Sequence, residues 1–374
     1  METLSALLGL LTCILWAGLF VIPSLGQNVT FTRGQKFQII LLGVPDMSKM
    51  PLPPTDAPVW DIDLFDSPAS TIKGLKAAGK IVICYFSAGT GEDWREDYRD
   101  FPAVDMGKVL PEWPNEKWLR TGSQQIRNIM TKRIKLAADK GCDAIDPDNT
   151  DGYQNDNGLN LKNTDAIDYM RWMQKEAAKY NMKIGLKNSL DIVNDLAPIM
   201  DFAVNEQCAQ LGECQVYANF VALNKPVFHI EYPNPLNAQA ANGVSCKGPG
   251  VAALSTILKD LQLNGITYYC DGSYADTPTL GGTSPPRPTP SRRPTPTPPR
   301  PTPPRPSSTT LRPTLTPSRT SSTQTPTTTP GGGGGTCKQK HWDQCGGRDW
   351  KGCTVCESPY TCKGVSPPYY YQCL

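Results

Sequence analysis

Eight short apolar or β-branched runs recur between Phe37 and Asp271, and most of them stop on polar side chains. They are Phe37–Gly43, Val59–Phe65, Lys80–Ser87, Cys142–Asp146, Lys183–Asn188, Asp201–Glu206, Val227–Tyr232 and Ile266–Asp271. Runs that stay apolar at successive positions suit strands buried on both faces of a parallel sheet. Helical patterns alternate with most of them. Gln124–Lys140 gathers Ile126, Ile129, Ile134, Leu136 and Ala137 on one face, and Thr164–Tyr180 carries a stripe of Ile167, Met170, Met173 and Ala177. Ser189–Met200, Glu213–Leu223 and Val251–Leu263 follow. Eight strand–helix units in about 240 residues predict an α/β fold, a (β/α)8 TIM barrel. A doubly wound open sheet is the alternative, but no glycine-rich phosphate loop follows any strand, so its usual nucleotide ligand is not expected. The first two units are irregular, with a proline-rich loop between Gly43 and Trp60 and only a short helix near Thr71–Ala78.

The chain divides by composition. Residues 1–26 read as a signal peptide, because Leu4–Leu25 is strongly apolar and runs into Pro23-Ser24-Leu25-Gly26. The run is also long enough to anchor the chain in a membrane through residues 4–25. Asn28-Val29-Thr30 is a glycosylation sequon on Asn28. Residues 27–276 are the barrel region. Segment 277–336 alternates proline with threonine, serine and arginine and ends in Gly331–Gly335, the composition of an extended linker that carries O-linked sugars. Residues 337–374 form a tail too small to fold without staples. Six of the thirteen cysteines lie there and six lie in 27–276, so disulfides in an exported chain are expected rather than metal sites. Overall charge is +2, but the linker holds seven arginines and no acid and the tail has a surplus of two positive charges, which leaves −7 for residues 1–276. An acidic body disfavours nucleic acid and suits a cationic or neutral ligand.

Barrel active sites lie at the C-terminal ends of the strands. Those ends offer Asp61 and Asp63, Tyr85 and Ser87, Asp146, Asp148 and Asn149, Lys187 and Asn188, Asn205 and Glu206, Glu231 and Tyr232, and Asp271. The densest is the stretch Gly141–Tyr153, whose carboxylates would be costly in a core without partners. With His229 and His341 the only histidines, neither a multi-histidine metal site nor a Ser-His-Asp triad is expected, and the spacing of Asp146–Gly152 misses a calcium loop. Carboxylates remain as the acid, base and nucleophile. Two of them across a cleft are what glycoside hydrolysis needs. Asp148 is one candidate, with Glu206 and Glu231 competing to be the other. No cofactor is expected. The tail's aromatics, Trp342, Trp350, Tyr360, Tyr369, Tyr370 and Tyr371, outnumber what a core of that size can hold and suit stacking on sugar rings.

Residues 80–232 resemble the family-114 glycoside hydrolases, the endo-α-1,4-polygalactosaminidases. The resemblance rests on Lys80–Gly89, Gly141–Tyr153, Gly185-Leu186-Lys187-Asn188 and Asp201–Cys208, with Trp60–Asp66 and Glu231-Tyr232 in support. It implies a (β/α)8 fold that cleaves α-1,4-linked galactosamine polymers internally, with catalytic residues at Asp148 and Glu206. Glu231 then becomes a cleft residue, and Asp61, Asp63, Tyr85, Ser87, Asp146, Asn149, Asp151, Lys187, Asn188, Asn205 and Tyr232 join it around the substrate. The first strand departs from the family by being more apolar. Catalytic groups on the fourth and sixth strands also resemble the retaining α-galactosidase barrels, which by analogy makes Asp148 the nucleophile and Glu206 the acid/base. The tail resembles family-1 cellulose-binding modules through Trp342–Gly347, Cys356, Thr361-Cys362, Tyr369-Tyr370 and Gln372–Leu374. That resemblance implies bridges Cys345–Cys362 and Cys356–Cys373, which leaves Cys337 for Cys353, and a binding face of Trp342, Tyr369 and Tyr370 with Gln372. In the barrel, Cys208–Cys214 is the expected bridge, while Cys84, Cys142, Cys246 and Cys270 stay unassigned. The expected protein is a secreted monomer that cleaves a polysaccharide while held on cellulose or a similar surface. A glycosidase of another α-linked wall polymer and a non-catalytic wall-binding protein are the alternatives.

Overall fold

The computed structural model describes residues 29–281 and, in the tail, 338–339, 344–346, 353–366 and 370–373. The leader and Asn28, the linker beyond residue 281, Cys337, Trp342 and Tyr369 lie outside the described residues, as do the side chains of Tyr370 and Gln372. Residues 277–281, expected as the start of the linker, belong to the barrel instead: Thr277 is buried and Thr279–Leu280 pairs with Val44–Pro45.

Eight parallel strands follow one another in chain order: β1 (Phe37–Ile40), β2 (Val59–Asp63), β3 (Ile81–Ser87), β4 (Ala144–Asp148), β5 (Lys183–Lys187), β6 (Phe202–Glu206), β7 (Val227–Glu231) and β8 (Ser255–Leu258). An antiparallel hairpin, β9 (Ile266–Tyr269) and β10 (Tyr274–Asp276), continues the sheet. This curled sheet is the predicted (β/α)8-type barrel. It meets β1 across a seam where Leu41 N donates to Leu263 O (2.8 Å), Tyr269 Oη to Phe37 O (3.0 Å) and Gln38 Nε2 to Thr277 Oγ1 (2.9 Å). Two corrections to the expected layout follow. The eighth parallel strand is Ser255–Leu258, inside the segment read as a helix, and Ile266–Asp271 supplies the returning hairpin instead. Asp271 consequently sits beside Lys36, before the start of β1, and not at the active end.

Both faces of the sheet are buried. The inward face carries Phe37, Ile39, Val59, Ile83, Ala144, Phe202, Val204, Phe228, Ile230 and Ile257. The outward face, with Trp60, Ile62, Val82, Cys84, Ile145, Ile184, Leu186 and Ala203, packs on the helices. Gly185 leaves room inside the barrel, because a Cβ there would meet the Phe202 ring at 2.3 Å.

Three full helices cover the first half: α1 (Ala69–Ala77), α2 (Gln124–Lys140) and α3 (Asn163–Ala178). In α2 the stripe Ile126, Ile129, Met130, Ile134 and Ala137 is buried, and the helix stops at Gly141 in the left-handed region (φ 91°), where glycine has no Cβ to clash. In α3, Asp165 accepts from the backbone N of Lys162 (2.9 Å), satisfying an amide at the start of the helix. Past β5 the coverage is by short turns and helices only, none longer than five residues. Between β3 and α2 the chain inserts a three-stranded antiparallel sheet, Thr90–Glu92, Met106–Leu110 and Trp113–Leu119.

Disulfides join Cys84 to Cys142, Cys208 to Cys214 and Cys246 to Cys270. In the tail, Gln344–Gly346 and Cys362–Ser366 flank Tyr370–Cys373, with bridges Cys345–Cys362 and Cys356–Cys373. Among the described residues no helix is long and apolar enough to cross a membrane.

Candidate active site

The C-terminal ends of β4, β5 and β6 bring three charged side chains together inside the barrel. Lys187 Nζ lies 3.1 Å from Asp148 Oδ1 and 3.3 Å from Glu206 Oε2. A single ammonium thus bridges carboxylates from two strands that do not neighbour each other. The lysine is almost fully buried, and its nitrogen also stands 5.7 Å from the centre of the Tyr85 ring. Tyr85 Oη donates to Asp148 Oδ2 (2.8 Å), and Tyr232 Oη donates to Glu206 Oε1. Each carboxylate therefore receives one phenol and shares one ammonium, and Glu206 is the more open to solvent of the two.

Beneath this layer are Asp61 and Asp146, both fully buried. No N–H or hydroxyl donor meets Asp61 Oδ1 or either oxygen of Asp146. They are left to face each other with a proton between them, since two ionised carboxylates so placed would repel without compensation. Burial, then the charge of Asp146, pushes Asp61 well above the ordinary carboxyl range. Burial likewise raises Asp146 to about 7, against the pull of Lys187. Four carboxyl groups thus surround one ammonium, so part of the cluster must hold protons near neutrality.

The backbone is bent at all three strand ends. Asn149, Asn188, Ser189 and Gln207, which follow Asp148, Lys187 and Glu206, have φ values of 60°, 46°, 54° and 67°. Left-handed conformations at residues with side chains need surrounding contacts to hold them. Asn188 Oδ1 accepts from the Glu206 amide (3.0 Å) and from Asn205 Nδ2 (3.3 Å), tying the end of β5 to that of β6. Asn149 Nδ2 donates to Ser87 Oγ (3.0 Å) and Thr90 Oγ1 (3.3 Å), and Thr90 Oγ1 donates to Glu116 Oε2 (2.6 Å). The β3 and β4 loops come so close that a Cβ on Gly89 would stand 1.7 Å from Asn149 O. That approach lets the amides of Ala88 and Gly89 both donate to Asp148 O (2.9 and 3.0 Å).

The expected site residues therefore separate into groups. Asp148, Glu206, Lys187, Tyr85, Tyr232, Asp146 and Asp61 converge. Ser87, Asn149 and Asn188 hold the loops around them. Asp151 is buried at the turn Gly152–Gln154, where its carbonyl accepts from Gln154 N (2.9 Å). Three expected cleft contacts need correcting. Asp63 is buried against Arg95 (2.6 Å), and its Oδ1 accepts from the amides of Phe65 and Asp66 (both 2.8 Å), so it builds the loop after β2. Asn205 and Glu231 share the outward parity of Ala203 and Val227 and lie behind the sheet. Asn205 Oδ1 accepts from Cys208 N (3.1 Å), and Glu231 Oε1 from Ala209 N (2.8 Å). Thr90, Glu116 and Arg95 also join these networks, though no strand-end motif points to them. They come from the inserted segment, whose only signal was its position after the third strand. Cys208, Cys214 and His229 also lie together, but both sulfurs are already bonded to each other and cannot serve as thiolate ligands.

Known proteins resemble the chain in both its barrel and its tail. The crystal structure of Aspergillus fumigatus Ega3 in complex with galactosamine is 46% identical, with a TM-score of 0.60 over 64% of this chain and 96% of that one. The glycoside hydrolase domain of PelA from Pseudomonas aeruginosa shares 12% identity at a TM-score of 0.51, over 63% of this chain and 98% of its own, and bears on the fold alone. Feruloyl esterase B of Talaromyces stipitatus is 60% identical over 40 residues, 11% of each chain. A lytic polysaccharide monooxygenase of Neurospora crassa is 59% identical over 39 residues, 10% of this chain and 11% of that one. The chain thus spans only about a tenth of the length of these two curated relatives. The fungal cellulose binding domain matches residues 341–369. Residues 23–275, well over half of the sequence, match glycoside-hydrolase family GH114, and the chain belongs to that family.

Proposed function

We propose that the protein is a secreted, monomeric, endo-acting hydrolase of α-1,4-linked galactosamine polymers, working with retention of configuration through Asp148 and Glu206. The observation that carries this reading is the shared ammonium. Two carboxylate oxygens within 3.1 and 3.3 Å of Lys187 Nζ cannot stand more than about 6.5 Å apart, at or below the lower limit of the spacing that admits a water between carboxyl and sugar. Galactosamine in the Ega3 complex supplies the sugar. A cleft with several carboxyls suits a polymer of amino sugars that is cationic when deacetylated.

In the first step Asp148 attacks the anomeric carbon while Glu206 passes its proton to the departing glycosidic oxygen. The carbon–oxygen bond breaks as the ester to Asp148 forms. Lys187 favours this order: while Asp148 is charged it competes for the ammonium, leaving Glu206 able to hold a proton. Once Asp148 is esterified, the ammonium is Glu206's alone and stabilises its carboxylate. Glu206 then takes a proton from water as the water's oxygen replaces Asp148 on the sugar. Tyr85 steadies the nucleophile and Tyr232 the acid/base.

The tail, through Trp342, Tyr369, Tyr370 and Gln372, holds the enzyme on cellulose or a similar surface, and the third bridge there is Cys337–Cys353. The leader directs export, and Asn28 carries an N-linked glycan. Deacetylated galactosaminogalactan, chitosan, cellulose and pectin offered to the secreted protein test the reading. Oligosaccharides should come from the first, and Asp148→Asn and Glu206→Gln should each abolish their release. Release from another polymer alone, or unchanged release by either variant, contradicts it.

A further inference from the structure

Glu231 does not reach the cleft, yet it is among the most completely engaged carboxylates in the protein. It is 1% exposed, and its Oε1 accepts three donors: Ala209 N (2.8 Å), Gln210 N (3.3 Å) and His229 Nε2 (2.8 Å). A carboxylate offers no proton, so His229 Nε2 carries one toward it, and His229 Nδ1 meets Thr256 Oγ1 at 2.9 Å. His229 is wholly buried. The chain of contacts therefore runs Thr256 (β8), His229 and Glu231 (β7), and then the amides of the turn that leaves β6.

That turn begins at Glu206. Gln207, the next residue, is in the left-handed region at φ 67°, and its amide donates to Ile230 O (2.8 Å). Cys208 N donates to Asn205 Oδ1, and the Cys208–Cys214 bridge closes the loop. A strained residue next to an acid/base group keeps its conformation only while the turn beyond it is fixed. Tyr232, directly after Glu231, is the phenol that donates to Glu206 from the front. Strand β7 and the residue after it thus support Glu206 from both sides of the sheet.

We propose that Glu231, oriented by His229, is a positioning residue for Glu206, setting the direction of its carboxyl rather than touching substrate. This rests on the reading of Glu206 as the general acid. Protonation of the leaving group matters for an alkoxide-like sugar and little for a nitrophenolate, so a misplaced acid shows itself as a dependence on the leaving group. A general defect in the fold or in binding lowers both reactions alike.

The test compares kcat/KM for deacetylated galactosaminogalactan with that for a nitrophenyl α-glycoside of a galactosamine oligomer. With Glu231→Ala the polymer reaction should fall roughly 10- to 100-fold, the order expected for a shift of about an ångström, and the aryl glycoside by about threefold or less. Glu231→Gln keeps an acceptor oxygen and the shape, and should show the same split at smaller size; it carries the test if Glu231→Ala does not fold. His229→Gln should follow in the same direction. Equal losses on both substrates, or no loss on either, overturn the proposal. Glu206→Gln is the reference: if it shows the split and the Glu231 variants do not, the positioning role is wrong, and if Glu206→Gln shows none, the acid assignment fails and takes this inference with it.

Discussion

At the scale of single residues, the site is governed by one cation among four carboxyl groups. Lys187→Met removes the ammonium that Asp148 and Glu206 share. Without it kcat should fall by about 100-fold or more, which steady-state kinetics would reveal. Asp146 gives a separate signature. Burial raises it to about 7 in the folded protein, whereas it titrates at about 4 when unfolded. Between these values the native state binds the extra proton, so its contribution is complete below the unfolded pKa and is lost as pH rises through the folded one. Asp146→Asn should flatten the decline in stability from pH 4 to 7, as measured by urea unfolding at each pH. A variant with the same slope as the parent would show that Asp146 is not held protonated.

Among the elements, the loops after β3 and β4 bear the tightest constraint. Gly89→Ala would drive a methyl into Asn149 O, and should cost about 3 kcal/mol or more together with over tenfold in kcat. The bridge Cys84–Cys142 spans 58 residues and contains the whole inserted sheet. Replacing both cysteines with serine should lower unfolding free energy by up to about 4 kcal/mol, checked by chemical denaturation. At this scale the sequence was informative wherever an apolar run ended in polar residues. Seven of the strands stand within a few residues of their expected positions, and α2 spans Gln124–Lys140 as expected. Ser255–Leu258 was misread because a short apolar run with leucines at helical spacing satisfies either pattern, and only its pairing with Phe228–Glu231 decides it. The facing of Glu231 was illegible for a related reason. In β7 both Val227 and Phe228 are buried, so alternation carries no trace of which side looks inward. Asp148 and Lys187 were recoverable as strand ends, whereas Thr90 and Glu116 depend on a sheet whose register no local pattern announces.

For the molecule as a whole, cleavage is proposed for the barrel and attachment for the tail. Removing residues 282–374, which keeps Thr277 and the Thr279–Leu280 strand in the barrel, should leave kcat/KM on soluble deacetylated galactosaminogalactan unchanged within about twofold, while the fraction retained on cellulose in a pull-down falls to background. Retention unaffected by the deletion would place the binding surface on the barrel. The deeper claim concerns how Asp148 and Glu206, sharing Lys187, open the glycosidic bond. Proton NMR of a digest in its first minutes, before the new reducing ends mutarotate, addresses it most directly. With Asp148 as nucleophile the α-anomer appears first and the β-anomer grows in afterwards; a first-formed β-anomer would mean inversion and would contradict Asp148 as the nucleophile.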